Sequence, residues 1–199
     1  MDYSVDAIRK CERELFPEFR DDRVIWEGTY AYFAPSYHVE AGLITEEVFE
    51  GLQDGARLLS VGCGKLHLEQ LLALVTDARP EQITVADAIP PPASSFPSLQ
   101  FDMFEKWPAT RQFDYILFPR SVFLGRSEKF YDEQTAQKRL THLIDTSRAR
   151  LTERGEMRMS GFLPDAHITD AVRAAQNARG EGIVGWYHTE RGDFLKFTR

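Results

Sequence analysis

The run from Arg57 to Leu74, RLLSVGCGKLHLEQLLAL, constrains this chain more than any other. LLSV reads as a short buried strand and LEQLLALV as a helix, with a turn between them that holds Gly62 and Gly64. A strand that enters a helix through so short a turn lays that helix back against its own sheet, which is how parallel α/β sheets are built. Glycines in the turn let backbone come close to a ligand, and the start of the helix offers free N–H groups.

From Ala56 onward the same alternation recurs. QITVADA reads as a second strand, SLQFDMF as a third, FDYILFP as a fourth and GEMRMSGF as a fifth. EKFYDEQTAQKRLTHLIDTSRARL is a long helix with Leu140, Leu143, Ile144 and Leu151 on one side, and DAHITDAVRAAQNARG is a helix closed by Gly180. The last two strands, in GIVGWYHTE and GDFLKFTR, are joined around Arg191 and Gly192 by too little chain for a crossover, so they pair antiparallel. The prolines of IPPPASSFPS, Ile89 to Ser98, leave little room for a full helix between the second and third strands. The expected fold class is α/β, a three-layer Rossmann-like sheet, mostly parallel, with a C-terminal antiparallel hairpin.

The N-terminal part reads differently. Residues 1 to about 22 form an amphipathic helix with Val5, Ile8, Leu15 and Phe19 among its apolar positions. An aromatic stretch follows, with Trp26, Tyr30, Tyr32, Phe33 and Tyr37. TEEVFEGLQDG is a helix with Thr45 as its N-cap, ending near Gly51 or Gly55. The expected organisation is an N-terminal helical cap over residues 1–55 and a core over 56–199, together one compact domain.

In an open α/β sheet a ligand lies at the carboxyl ends of the strands, where strand order reverses. Asp87, closing the second strand, stands where an acidic residue can take both hydroxyls of a ribose. A dinucleotide fingerprint would need glycine at position 67, where this chain has His67, and a side chain there obstructs both helix packing and a pyrophosphate. Charge narrows the partner. The formal net charge is −7 and no basic stripe runs along the sequence, so nucleic acid is disfavoured. Two cysteines make no disulfide framework, and five scattered histidines have no metal-site spacing, so no metal is expected. No apolar run approaches the ~20 residues of a membrane span. The charged N-terminus is no signal peptide, and a cytoplasmic protein is expected.

The segment from about Ala56 to Arg199 resembles the class I S-adenosylmethionine-dependent methyltransferases. The first loop of that family runs acidic-x-Gly-x-Gly-x-Gly; SVGCGKL keeps Gly62 and Gly64, with Ser60 in the acidic place and Leu66 in that of the third glycine. FDYILF resembles the family's fourth strand, LTERGE the turn before its fifth, and the final two strands its closing hairpin. The resemblance implies S-adenosylmethionine as cofactor. It implies that Gly62, Cys63 and Gly64 line the cofactor, that Asp87 beside Ala88 holds the ribose, and that Asp102 contacts the adenine amine with Met103 against the ring. Pro119 would close the site at the end of the fourth strand. Cys63 sits near a helix N-terminus, where a thiol can become more acidic, but a small side chain simply fits there and no catalytic cysteine is expected.

Methyl transfer from a sulfonium asks the protein chiefly to align an acceptor and exclude water. The acceptor is expected over the fourth strand, against the N-terminal cap. There Arg120 can pair with an anionic acceptor, His38 can serve as base for a hydroxyl, and Tyr37 can close over the cofactor. The fourth strand lacks the Asn-Pro-Pro-Tyr type motif linked to methylation of base amino groups, so a small-molecule acceptor is expected, planar or partly apolar to suit the aromatic cap. The alternative is a methyltransferase-like domain that binds a ligand or partner without transfer. The residues leave the oligomeric state open.

Overall fold

Ser4 opens the chain's first helix, α1 (Val5–Leu15), by accepting the Ala7 N–H on its hydroxyl at 3.3 Å. The helix is shorter than the expected 1–22 because Pro17 redirects the chain into a single 3-10 turn, Pro17–Phe19. In this computed structural model, which describes residues 2–28, 30–108, 111–119, 133–162, 183–189 and 192–198, the aromatic stretch is not purely helical. Strands β1 (Val24–Glu27) and β2 (Tyr30–Phe33) form an antiparallel hairpin, with Gly28 at φ +61° at its bend. The cap is therefore a hairpin plus helices. Its remaining helices are α2 (Pro35–Glu40) and α3 (Glu46–Gln53).

Thr45 does precede α3, but its hydroxyl caps no N–H. It donates to the Glu47 carboxylate and accepts from Arg158 Nη1 at 2.8 Å. Gly55, at φ +93°, ends the segment in a conformation that favours glycine.

The core then alternates: β3 (Leu58–Val61), α4 (His67–Thr76), β4 (Ile83–Asp87), β5 (Ser98–Gln100), β6 (Phe113–Phe118), α5 (Glu133–Arg148), β7 (Leu151–Phe162), β8 (Ile183–Thr189) and β9 (Gly192–Thr198). These seven strands form one sheet in the order β5-β4-β3-β6-β7-β9-β8. The first five run parallel, and β9 is antiparallel to both β7 and β8. No helix joins β4 to β5, in keeping with the prolines of 89–98. The expected three-layer, mostly parallel sheet with a closing hairpin is the observed one.

One boundary moves. Leu151, expected on the long helix, is the first residue of β7 and pairs with Phe113. Its periodicity matches the helix, but the strand pairing wins because it places Leu151 fully inside the sheet's core. Gly155 follows for a steric reason: a Cβ there would stand 2.9 Å from the Phe113 carbonyl oxygen. The helix expected over DAHITDAVRAAQNARG lies outside the described residues.

The sheet has a core on each face. One unites Leu140, Leu143 and Ile144 of α5 with Phe113, Phe118, Met157 and Met159. The other joins Leu68, Leu71 and Leu72 of α4 and Leu58 of β3 to Ile8, Phe16, Phe19, Ile44 and Phe49, so the cap shares a hydrophobic interior with the core. Arg158, 1% exposed on β7, ties the two further by reaching Thr45 and Glu47 while pairing with Glu156. The chain leaves β3 towards β4 and β5 on one side and returns to β6 on the other. That reversal falls at the carboxyl ends of β3 and β6, the place where open α/β sheets bind their ligands.

Candidate functional site at the carboxyl edge of the sheet

Val61 leads into a turn in which every second residue is left-handed: Gly62 at φ +78°, Gly64 at +54° and Leu66 at +67°. The turn is pinned to the neighbouring strand, since Gly62 and Cys63 both donate to the Ala86 carbonyl, at 2.7 and 3.3 Å. Leu66 takes the conformation that a third glycine would take. A non-glycine residue there costs about 1–2 kcal/mol. Complete burial of its side chain in the cap-side core, at about 1.5–3 kcal/mol, offsets that cost.

Asp87 stands at the end of β4 beside the turn. Its Oδ2 accepts the Gly64 N–H and its Oδ1 the Ile89 N–H, each at 3.2 Å. An ionised carboxylate has about four acceptor positions, so both oxygens retain a free one for paired hydroxyl donors. Ala88, next to it, is exposed. Phe101 donates to the Asp87 carbonyl at 3.0 Å, which brings the segment after β5 alongside. There Asp102 is exposed, with Oδ1 receiving the Phe104 N–H at 2.9 Å, and Met103 packs partly buried against the sheet. Pro119 closes β6 on the same edge. The structure thus gathers Gly62, Cys63, Gly64, Asp87, Ala88, Asp102, Met103 and Pro119 along one edge.

Behind the turn lies a carboxylate that the sequence reading passes over. Glu69, in the first turn of α4, is 0% exposed and accepts a hydrogen bond from the equally buried Ser60 hydroxyl. Its second oxygen, Oε2, is buried with no hydrogen-bond partner among the described residues. Burial, with the nearby Asp87 charge adding to it, pushes the Glu69 carboxyl up to about 7 despite the Ser60 bond. The Cys63 thiol is also held well above its ordinary value, by burial first and then by Glu69 and Asp87. The acidity that a helix N-terminus can lend a thiol is overridden here, and Cys63 is inert packing.

The cap covers the turn. The Tyr32 ring lies 3.4 Å from where a Gly64 Cβ would be, and Lys65 Nζ stands 4.6 Å over that ring while pairing with Glu27 of β1. His67 is clasped between Phe16 and Phe19, with ring centroids 4.9 and 5.0 Å away, and pairs with Glu18 at 3.1 Å. Tyr37 packs half-buried between Phe33 and the Arg23 guanidinium. His38 is 4% exposed, edge-on to Phe33 and Tyr37. Arg120 lies outside the described residues. Of the aromatic stretch, the structure brings Tyr32 to the glycine turn. Its signal was the alternation in YAYF, which puts Tyr30 and Tyr32 at the same parity in one strand.

The donor set suits an adenosyl group better than a dinucleotide. Asp87 can accept a diol, and the turn presents glycine to the ligand. A buried carboxylate behind that turn opposes a pyrophosphate. Among the described residues no cluster of side chains could hold a metal ion, and no helix is long and apolar enough to cross a membrane.

No family model matches the sequence, and no curated protein does. Solved structures do match the fold. A methyltransferase from Pyrococcus furiosus is 11% identical with a TM-score of 0.57, over 97% of this chain and 96% of that one. The magnesium protoporphyrin IX methyltransferase of Synechocystis, solved with bound S-adenosylmethionine, is 13% identical with a TM-score of 0.51, over 100% of both chains. The sugar N-methyltransferase KedS8 from a Streptoalloteichus species is 14% identical with a TM-score of 0.50, over 94% and 92%. At such identities the likeness is one of fold: the chain has the class I methyltransferase fold.

Proposed function

We propose that this chain, built on the class I methyltransferase fold, transfers a methyl group from S-adenosylmethionine to a small-molecule acceptor. The observation that carries the reading is Asp87. It sits at the end of β4, braced by the Gly64 and Ile89 N–H groups, and keeps acceptor capacity on both oxygens beside a glycine turn. Asp87 would hold the ribose, Asp102 and Met103 the adenine, and Gly62 to Gly64 the backbone approach. When bound there, S-adenosylmethionine supplies a methyl group on a sulfonium, whose loss leaves a neutral thioether.

The chain's own work is positional. Tyr32 and the β1–β2 hairpin cover the turn and exclude water, so that an acceptor held against the cap meets the methyl in line. Acceptor roles for Tyr37, His38 and Arg120 belong to the same proposal. His38, buried beside Tyr37, would take a proton only from an acceptor that enters past that ring. The net charge of −7 and the lack of a basic stripe favour a small molecule over nucleic acid. Two unpaired cysteines, Cys11 and Cys63, fit work in the cytoplasm.

A domain that binds without transfer gains no support from the two departures in the turn, since Leu66 adopts the glycine conformation and Ser60 is engaged with Glu69. The test is calorimetric titration with S-adenosylhomocysteine, beside an Asp87→Ala variant. Micromolar binding that the variant loses supports the site and justifies an acceptor screen. A folded wild type that binds neither cofactor nor product sinks the reading, and turnover confined to RNA or DNA acceptors sinks the small-molecule part alone.

A further inference from the structure

The Glu69 carboxylate has a hydrogen bond but, among the described residues, no counter-ion. Ser60, the side chain that donates to it, is neutral, and the charged neighbour that acts on it is the acid Asp87 of β4. The titratable group facing it from the turn is the Cys63 thiol. The helices packed against α4 also carry titratable groups. On α1 the buried Glu12 is committed to the Ser36 N–H and hydroxyl, and on α2 His38 lies against Phe33 and Tyr37. Beyond α1, Glu18 pairs with His67, and on α3 Val48, Phe49 and Leu52 are the buried residues. A buried carboxylate with one oxygen unpartnered is costly, and a cation that arrives to face it offsets that cost.

The place for that cation is the turn itself. Glu69 lies in the first turn of the helix that the glycines lead into, bonded to the strand residue two before Gly62, and it acts on Cys63 between the two glycines. A ligand lying on Gly62 to Gly64 therefore sits close to a buried interior that holds this charge, where charges interact far more strongly than in water.

We propose that Glu69 is the counter-charge of the glycine turn, supplied from α4 rather than from the strand position occupied by Ser60, and that it makes the site favour a cationic ligand over an uncharged one. Resting on the cofactor reading above, this gives an order of preference. S-adenosylmethionine carries a sulfonium and an ammonium beside one carboxylate, S-adenosylhomocysteine the ammonium and the carboxylate, and methylthioadenosine no charge. Binding of a cation draws Glu69 into its ionised form, and the proton passes to solvent.

The experiment is calorimetric titration of the wild type and a Glu69→Gln variant with those three ligands, at pH 5.5 and 8, in two buffers of different ionisation enthalpy. Glutamine keeps an acceptor for Ser60, and thermal melting checks that the variant folds. At pH 8 the variant is expected to bind S-adenosylmethionine about tenfold more weakly and methylthioadenosine within about twofold of wild type. At pH 5.5, where Glu69 is already neutral, the two proteins converge. The proton count on the wild type needs no variant: near pH 7, protons are released with S-adenosylmethionine, fewer with the homocysteine and none with methylthioadenosine. Equal weakening of all three ligands, or no proton release with the sulfonium, overturns this inference while leaving the cofactor site standing. A wild type that binds none of the three overturns the cofactor reading and this inference with it.

Discussion

The Ser60 hydroxyl and the Glu69 carboxylate meet behind the glycine turn, both fully buried. The pairing makes the first strand and the helix after it share one polar contact in an otherwise apolar seam. It also gives the fold a pH-dependent element. Burial raises the Glu69 carboxyl from 4.5 to about 7, so the folded state binds its proton more tightly than the unfolded chain. Its contribution to stability is complete below pH 4.5 and is lost as pH rises through about 7, amounting to about 3 kcal/mol. Glu69→Gln removes this dependence. Urea unfolding should show the variant gaining on the wild type as pH goes from 5 to 8, and a constant difference would refute the assignment.

Leu66→Gly restores the third glycine of the pattern and should nevertheless destabilise the protein. Relief of the left-handed strain returns about 1–2 kcal/mol. Loss of a fully buried leucine costs about 2–5 kcal/mol with the cavity included. The net loss, about 2 kcal/mol at the middle of these ranges, is measurable by chemical denaturation. A variant more stable than wild type would show that strain, not packing, dominates at this position.

His67 locks the cap. His67→Ala removes two edge-on ring contacts worth about 0.5–1.5 kcal/mol each, together with the Glu18 pair. Hydrogen exchange in α1 should quicken in the variant while β3 and β6 keep their protection. Burial lowers the His67 pKa below 6.5, outweighing the pull of Glu18. Its contribution is therefore full above pH 6.5 and fades as pH falls through the folded value. In the wild type, exchange in α1 should rise on acidification relative to the variant. Uniform exchange changes across the molecule would contradict a local latch.

At Gly155 the constraint is steric and backbone-borne. An added methyl would stand 2.9 Å from the Phe113 carbonyl and 3.1 Å from Leu151, neither of which can swing aside. Gly155→Ala should cost about 1–3 kcal/mol by overpacking. Thermal melting reads this directly, and an unchanged midpoint would mean that β7 shifts freely against β6.

The core elements were legible because each strand and helix announces itself through local apolar spacing, and the succession of strands and helices leaves few ways to order a parallel sheet. Asp87 was legible as the acidic residue that closes a strand, whereas Asp102 was named through the family resemblance and lies just past β5, which ends at Gln100 rather than running through SLQFDMF. Leu151 misled because its spacing continues the phase of α5, and only pairing with Phe113 assigns it to β7. The β1–β2 hairpin was hidden because the alternation in YAYF is only four residues long, and its bend at Gly28 became meaningful only once Tyr32 was seen against Gly64.

By itself, the sequence determined the kind of sheet, the glycine turn and the acids at the strand ends, since these depend on residues close together in the chain. The tertiary structure alone decided which polar residue faces inward. Nothing in LEQLLALV marks Glu69 as buried, yet α4 docks with it turned to Ser60. The docking angle is set by Leu66, Leu68, Leu71 and Leu72 packing together with a cap more than forty residues upstream, in Ile8, Phe16 and Phe19. No local pattern carries that information, because a carboxylate's burial is a property of everything that surrounds it.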